Sequence, residues 1–289
     1  MPDPRQVFPL KFYMLSRRCT QRQFWLRPDE ELNQIWRYCL AEAASRCGVE
    51  VVFSSVMSNH HHTIVIDRKN SLPRVSEFME HLHKHVAKCV NALRGRWENL
   101  WTSEEPSVVE LKTPADLMAK LVYAAVNPVA AHLVERVHHW PGVNAFSDFL
   151  NDRSTVVARP RRFFSSEGTM PKSVTLRYAV PPELGDAASV KALFREAVHA
   201  EESRLLAERR RRGRCVLGRR AVLRQRCAEQ PWTREPRRGL NPRVAARSLW
   251  TRLGALRGNR AFREAYRAAR AAWLLGKPAV FPAGTYWLR

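Results

Sequence analysis

Three histidines stand in a row inside Val56-Met57-Ser58-Asn59-His60-His61-His62-Thr63-Ile64-Val65. Strand side chains alternate between faces, so His60 and His62 project together while His61 projects the other way and does not ligate with them. Two imidazoles roughly 6–7 Å apart can share one divalent ion. Taken alone, the pattern also describes an ordinary strand end that carries histidines. A second group lies some sixty residues on, where Tyr123 and Asn127 are four apart. That spacing places both on one face if a helix persists so far. Asn127 directly precedes Pro128, which disfavours helical geometry and predicts a break there. A phenol can act as a covalent nucleophile, although most tyrosines are packed aromatics with a satisfied hydroxyl. Lys120 lies one turn before Tyr123.

Secondary-structure patterning supplies the elements that must position these groups. Residues 7–15 read as a strand, rich in aromatic and branched side chains. A helix is expected over about 29–47, where Leu32, Ile35, Trp36, Cys39, Leu40 and Ala43 follow the 3.6 period. Two short strands, about 50–57 and 60–66, flank the turn chemistry of Ser58-Asn59, which predicts a hairpin. A helix follows over about 74–95, then a short strand at Val108–Leu111. Thr113 caps a third helix that has Pro114 at its first position and Asp116 at its third. This order predicts an α+β fold, an antiparallel sheet with helices on its faces. On the second helix, His81 and His85 share a face that His83 does not, and all three read as solvated or turned towards nucleic acid.

The chain has 289 residues, 45% hydrophobic, with 49 Lys+Arg against 27 Asp+Glu and a net charge of +22. Wholesale disorder is excluded by that apolar content. No apolar run approaches the ~18–20 residues of a membrane helix, and Met1–Arg5 lacks the layout of a signal peptide. Six widely spaced cysteines without a CxxC pair point to a reducing cytosol. Charge is uneven: residues 201–289 hold 23 basic against 6 acidic side chains, a net of +17, whereas residues 1–200 carry +5. The expected organisation is a domain over 1–155, a junction over 156–187, and a mostly helical basic region over 188–289. Helices are expected there near 188–212, 242–256 and 260–275. Such asymmetry favours a polyanionic partner, with nucleic acid first. Trp232, Trp250, Trp273 and Trp287 interleave with arginines and could stack on unpaired bases. Trp250 and Trp273, at helical spacing among apolar neighbours, read rather as core.

The two chemical groups together resemble a known family. The stretch Asn59-His60-His61-His62 is similar to the HUH motif (His, hydrophobic residue, His) of single-tyrosine transposases. Tyr123-Ala124-Ala125-Val126-Asn127-Pro128-Val129 resembles the tyrosine motif of the REP-associated tyrosine transposases. Ser16-Arg17-Arg18, Trp140 and Phe146 fit the flanking segments, and the likeness covers about residues 7–150. It departs at His61, at Ser58, at Ala130, and at Ser103-Glu104-Glu105-Pro106, where the family has a basic Gly-Arg-Phe-like segment. Two C-terminal segments, residues 238–243 and 281–287, match no motif of known mechanism.

The resemblance implies a ferredoxin-like, HUH nuclease-like sheet and metal-assisted cleavage of single-stranded, hairpin-bearing DNA. It implies Tyr123 as nucleophile, leaving a 5′-phosphotyrosine, and His60 and His62, with Asn127 as third ligand, around Mg²⁺ or Mn²⁺. By softness Mn²⁺ suits two imidazoles better. Candidate DNA contacts are Arg17, Arg18, Lys120 and the run Arg209, Arg210, Arg211 and Arg212. A monomer or homodimer in a bacterial cytoplasm, associated with the nucleoid and not with a membrane, is expected. The alternative is a domesticated descendant that binds structured DNA without cutting it, for which Glu104 and Glu105 speak.

Overall fold

The computed structural model describes residues 5–69, 73–161, 163–233 and 241–285. Its first half follows the expected order. Strand β1 (Phe12–Arg18) begins later than its apolar residues suggest, because Leu10 turns the chain at φ 58° just after Pro9. Helix α1 (Glu30–Cys47) is started by Asp29, whose carboxylate accepts from the Leu32 N–H at 2.9 Å, and stopped by Gly48 at φ 64°. Strands β2 (Glu50–Val56) and β3 (His60–Ile66) form the hairpin, α2 spans Val75–Arg94, and β4 spans Ser107–Leu111.

These strands pair antiparallel in the order β2-β3-β1-β4. This is the ferredoxin-like split βαβ arrangement, with β1 and β3 central. Helices α1 and α2 pack together on one face, burying Ile35, Trp36, Leu40, Phe78, Leu82 and Val86. On the other face lies α3 (Pro114–Ala130), whose Leu121, Ala124 and Ala125 are buried towards β2 and β3.

Helix α3 does not break at Asn127. Pro128 sits in its last turn, so a single intrahelical bond is forfeited. The Pro128 carbonyl accepts from the N–H groups of Leu133 and Val134 instead.

Beyond residue 145 the chain adds to this body. After α4 (Phe146–Leu150), strands β5 (Thr155–Ala158) and β6 (Ser173–Leu176) pair antiparallel and lie on α1 across the stretch expected as a junction. Helix α5 (Ala187–Arg211) packs on α3 and inserts Phe194 among Phe53, Phe146 and Phe149, with ring centroids 5.3–5.8 Å apart. A short helix, α6 (Arg219–Arg224), follows. Strand β7 (Val244–Ala245) extends the sheet, parallel to β4. The two helices expected over 242–256 and 260–275 are one, α7 (Leu249–Leu274). Ser248 caps it, and Gly258, which takes no left-handed turn, costs the helix little enough that it continues. No helix among the described residues is long and apolar enough to cross a membrane.

Candidate functional site

Register decides which residues meet. Strands β1 and β3 pair Ser16 with His62, Arg17 with His61, and Arg18 with His60. Directly opposed residues share a face. Ser16, Arg18, His60 and His62 therefore look towards α3, whereas Arg17 and His61 look towards α1 and α2.

On the α3 face the two imidazole rings stand edge to face, centroids 4.9 Å apart. The Asn59 amide nitrogen donates to the Arg22 carbonyl at 3.0 Å, which turns its oxygen to His60 Nδ1 at 2.7 Å. An amide oxygen only accepts, so His60 carries a proton on Nδ1, and in the neutral ring the lone pair is then on Nε2. His62 Nδ1 meets the Ser16 hydroxyl at 2.6 Å, and His62 Nε2 is buried with no hydrogen-bond partner. Burial, then the proximity of His60, His61, Lys120 and Arg18, holds His62 well below the usual imidazole range. It is therefore neutral, with a buried nitrogen that is otherwise costly to leave unmatched.

Tyr123 on α3 closes the group. Its ring centroid lies 5.3 Å from that of His62, edge to face, and the side chain is 47% exposed, so the phenol is not core packing. The Lys120 ammonium lies 5.1 Å from the Tyr123 ring centroid. Because α3 continues through Asn127, the Tyr123–Asn127 spacing is realised on one helix face, one turn apart.

The donor set fits a divalent ion. Two ring nitrogens are held from behind by Ser16 and Asn59, as outer partners hold metal-ligating histidines. Among the described residues no cluster of three or more His, Cys, Asp or Glu side chains forms a metal cage. A closed structural zinc site is thus a poor match, and an open site completed by oxygen donors is a good one.

The opposite face carries a different network. His61 is fully buried, and its Nε2 lies 2.9 Å from His83 Nε2. Arg17 donates to His83 Nδ1 at 3.3 Å, so His83 must donate through Nε2 and His61 must carry its proton on Nδ1, towards Thr63 Oγ1 at 3.1 Å. Trp36 and Trp101 pack against the His61 ring.

Several residues do not stand where sequence placed them. His83 is core, not solvated, because it lies on the face of α2 that buries Leu82 and Val86 and its ring is taken up by Arg17, His61 and Trp101. His81 is bonded to the buried Glu42 carboxylate, and His85 lies over its ring at 4.1 Å. Arg17 is drawn inward by His83 and Trp101, and burial brings its guanidinium down to about 10. Arg209 is buried against Glu135. Arg18 is exposed on the His60 face, and Arg210, Arg211 and Arg212 are exposed at the end of α5. Trp250 and Trp273 are exposed, 80% and 54%, because α7 buries only Phe262 and Ala269 among its residues. Trp232 is exposed as well. Trp287 and residues 238–240 lie outside the described residues. Glu105 pairs with Arg5 and Arg243, the latter from the segment that enters β7. Sequence reasoning missed Ser16 and Asn59 as partners of the imidazoles; the Ser58-Asn59 turn signal pointed to Asn59, and nothing local pointed to Ser16.

No family model matches the chain, and no curated protein matches it. Solved structures do. One is a REP-associated tyrosine transposase bound to a REP hairpin: 17% identity, 52% of this chain, 86% of that chain, TM-score 0.44. Another is a transposase candidate from Deinococcus radiodurans R1: 18% identity, 42% of this chain, 93% of that chain, TM-score 0.30.

Proposed function

We propose that this chain is a single-tyrosine DNA strand transferase, which cuts and rejoins single-stranded, hairpin-bearing DNA with help from a divalent ion. The observation that carries the reading is the buried, unpartnered His62 Nε2 beside His60, with the half-exposed Tyr123 ring 5.3 Å from His62. The motif resemblance supplies the same residues in the same order.

His60 and His62 would hold Mg²⁺ or Mn²⁺ through Nε2, with the Asn127 amide oxygen as third ligand. Bound there, the ion supplies charge neutralisation at the phosphate oxygens. Tyr123 Oη gives up its proton to solvent, the Lys120 ammonium favouring the phenolate by charge. Phenolate oxygen attacks phosphorus. A Tyr–O–P bond forms, the P–O3′ bond breaks, and the departing 3′-oxygen takes up a proton. The product is a 5′-phosphotyrosine and a free 3′-hydroxyl. Phosphodiester count is conserved, so a second 3′-hydroxyl can reverse the step on a new strand without ATP. Arg18, exposed opposite His60, and Arg210–Arg212 give the strand phosphates their counter-charge.

The test is incubation with single-stranded hairpin DNA and Mn²⁺, read as a covalent protein–DNA adduct on a denaturing gel. The expected adduct is lost in Tyr123→Phe and on chelation, and falls at least about a hundredfold in His62→Ala. Salt-sensitive binding with no adduct in the intact chain would overturn the enzyme and leave the non-cleaving binder.

A further inference from the structure

We propose that residues 217–229 form a strand-binding groove at the rim of the histidine–tyrosine centre, and that its occupant is the phosphate backbone of the DNA strand being processed. The inference rests on the strand-transferase reading for the nature of the strand. The groove itself follows from how the basic region is attached.

Residues 217–233 are a strap across the site end of the sheet. The strap begins where the tyrosine helix ends: the N–H groups of Leu217 and Gly218 donate to the carbonyls of His132 and Leu133, both at 2.9 Å. Its middle is tied to the turn that carries His60, since the Ser58 hydroxyl donates to Gln225 Oε1 at 2.8 Å and Arg27 donates to the Gln225 carbonyl at 3.2 Å. Its far end is tied beyond β1, where the Phe24 N–H donates to the Glu229 carbonyl at 2.9 Å and Gln23 donates to that of Ala228 at 3.0 Å. Val222, fully buried, pins α6 between these ties. The strap thus touches the segments that follow Tyr123, precede His60 and follow Arg18.

Its outer side is an open groove of about 730 Å³, lined by Leu217, Arg219, Arg220, Arg224, Gln225 and Glu229. All three arginines are exposed, and none has an ion pair among the described residues. The groove continues the cationic end of α5, where Arg210, Arg211 and Arg214 are exposed. A polyanion in this groove lies over Gln225, whose side chain holds the Ser58 hydroxyl at 2.8 Å, two residues before His60 in the turn that leads into β3. Guanidinium forks match phosphate oxygens, and a run of them along a groove tracks a backbone without reading bases.

Binding of fluorescein-labelled oligo(dT) to the full-length Tyr123→Phe chain, followed by anisotropy from 50 to 300 mM KCl, separates the alternatives. The triple variant Arg219→Gln, Arg220→Gln, Arg224→Gln in that background should weaken binding about tenfold or more. It should also lower the salt slope by about 2, from ~0.7 per phosphate contact on a single strand. The triple lysine variant should keep the slope. An unchanged slope in the glutamine triple, at unchanged melting temperature, would overturn the groove while oligo(dT) binding by the parent left the strand-transferase reading standing. No binding by the parent at any salt would overturn the groove, and the covalent-adduct assay on hairpin DNA would then decide the strand-transferase reading by itself.

Discussion

His62 is neutral, buried and held from behind by one hydroxyl, and that hydroxyl is the simplest residue to test. Ser16→Ala removes the partner of Nδ1. Loss of such an outer contact should weaken Mn²⁺ binding about 10- to 100-fold with the far-ultraviolet spectrum unchanged, as calorimetry would show. The neighbouring face gives a pH prediction. Burial, then Arg17 and Arg5, holds His83 well below its ordinary value. An unfolded histidine titrates near 6.5, so below that pH the unfolded chain binds the extra proton. The share of stability owed to His83 should therefore be full above about pH 6.5 and fall by up to about 1.4 kcal/mol per pH unit beneath it, until His83 itself protonates in the fold, and His61 and His62, shifted the same way by burial, add to the fall. Urea midpoints at pH 7.5 and 5.5 check this; equal midpoints would contradict it. The division of the three histidines between faces was legible in sequence because the strand period is two. Ser16 was not, because its meeting with His62 depends on the β1–β3 register, a relation across 46 residues. The inward turn of His83 was hidden for a similar reason: helical spacing tells which residues share a face but not that Arg17 waits beneath it.

Helix α3 carries Tyr123, and its first turn is fastened twice. Thr113 Oγ1 accepts from the Asp116 N–H at 3.1 Å, and the Asp116 carboxylate accepts from the Thr113 N–H at 3.1 Å. The second carboxylate oxygen accepts from the Arg247 N–H at 2.8 Å, just before α7. Thr113→Ala should cost about 1 kcal/mol, the usual cap value, and Asp116→Ala about 2 kcal/mol, since it removes the acceptor of two part-buried N–H groups, those of Thr113 and Arg247. Denaturant unfolding measures both; equal costs would mean that the tie to Arg247 contributes nothing. This capping box was readable from Thr113, Pro114 and Asp116. The far end was not, because the X-Pro rule predicts a break at Asn127 that a proline in the last turn does not enforce. In the basic region, period and composition found α5 but split α7 at Gly258, where a local glycine penalty of about 1 kcal/mol is outweighed across so long a helix. The exposure of Trp250 and Trp273 follows from the same element: nothing among the described residues covers that side of α7, so apolar spacing there does not mean a core.

At the scale of the whole molecule, the charge asymmetry and the core do not divide at the same place. Phe194, from the basic region, is completely buried among rings of β2 and α4. Phe194→Ala should cost about 3–5 kcal/mol, and a chain ended at residue 187 should lose cooperative unfolding, both visible in thermal melts. A truncation that melted as sharply as the full chain would show the first half to be self-sufficient. Sequence could not reveal this joint core, because the buried Val190, Phe194 and Val198 of α5 form a short row in a helix whose second half is rich in charge, and nothing local says that the row meets β2 and α4; the α+β sheet, by contrast, was plain from element order. Everything proposed for function converges on one geometric idea, that paired ring nitrogens on β3 and a phenol on α3 surround a common ion. The most direct measurement is electron paramagnetic resonance of Mn²⁺ titrated into the Tyr123→Phe chain, read for nitrogen coupling. The account predicts one ion per chain with coupling to two nitrogens, one of them lost in His60→Ala and the other in His62→Ala. Absence of Mn²⁺ uptake, or uptake whose nitrogen coupling survives loss of both histidines, would contradict it.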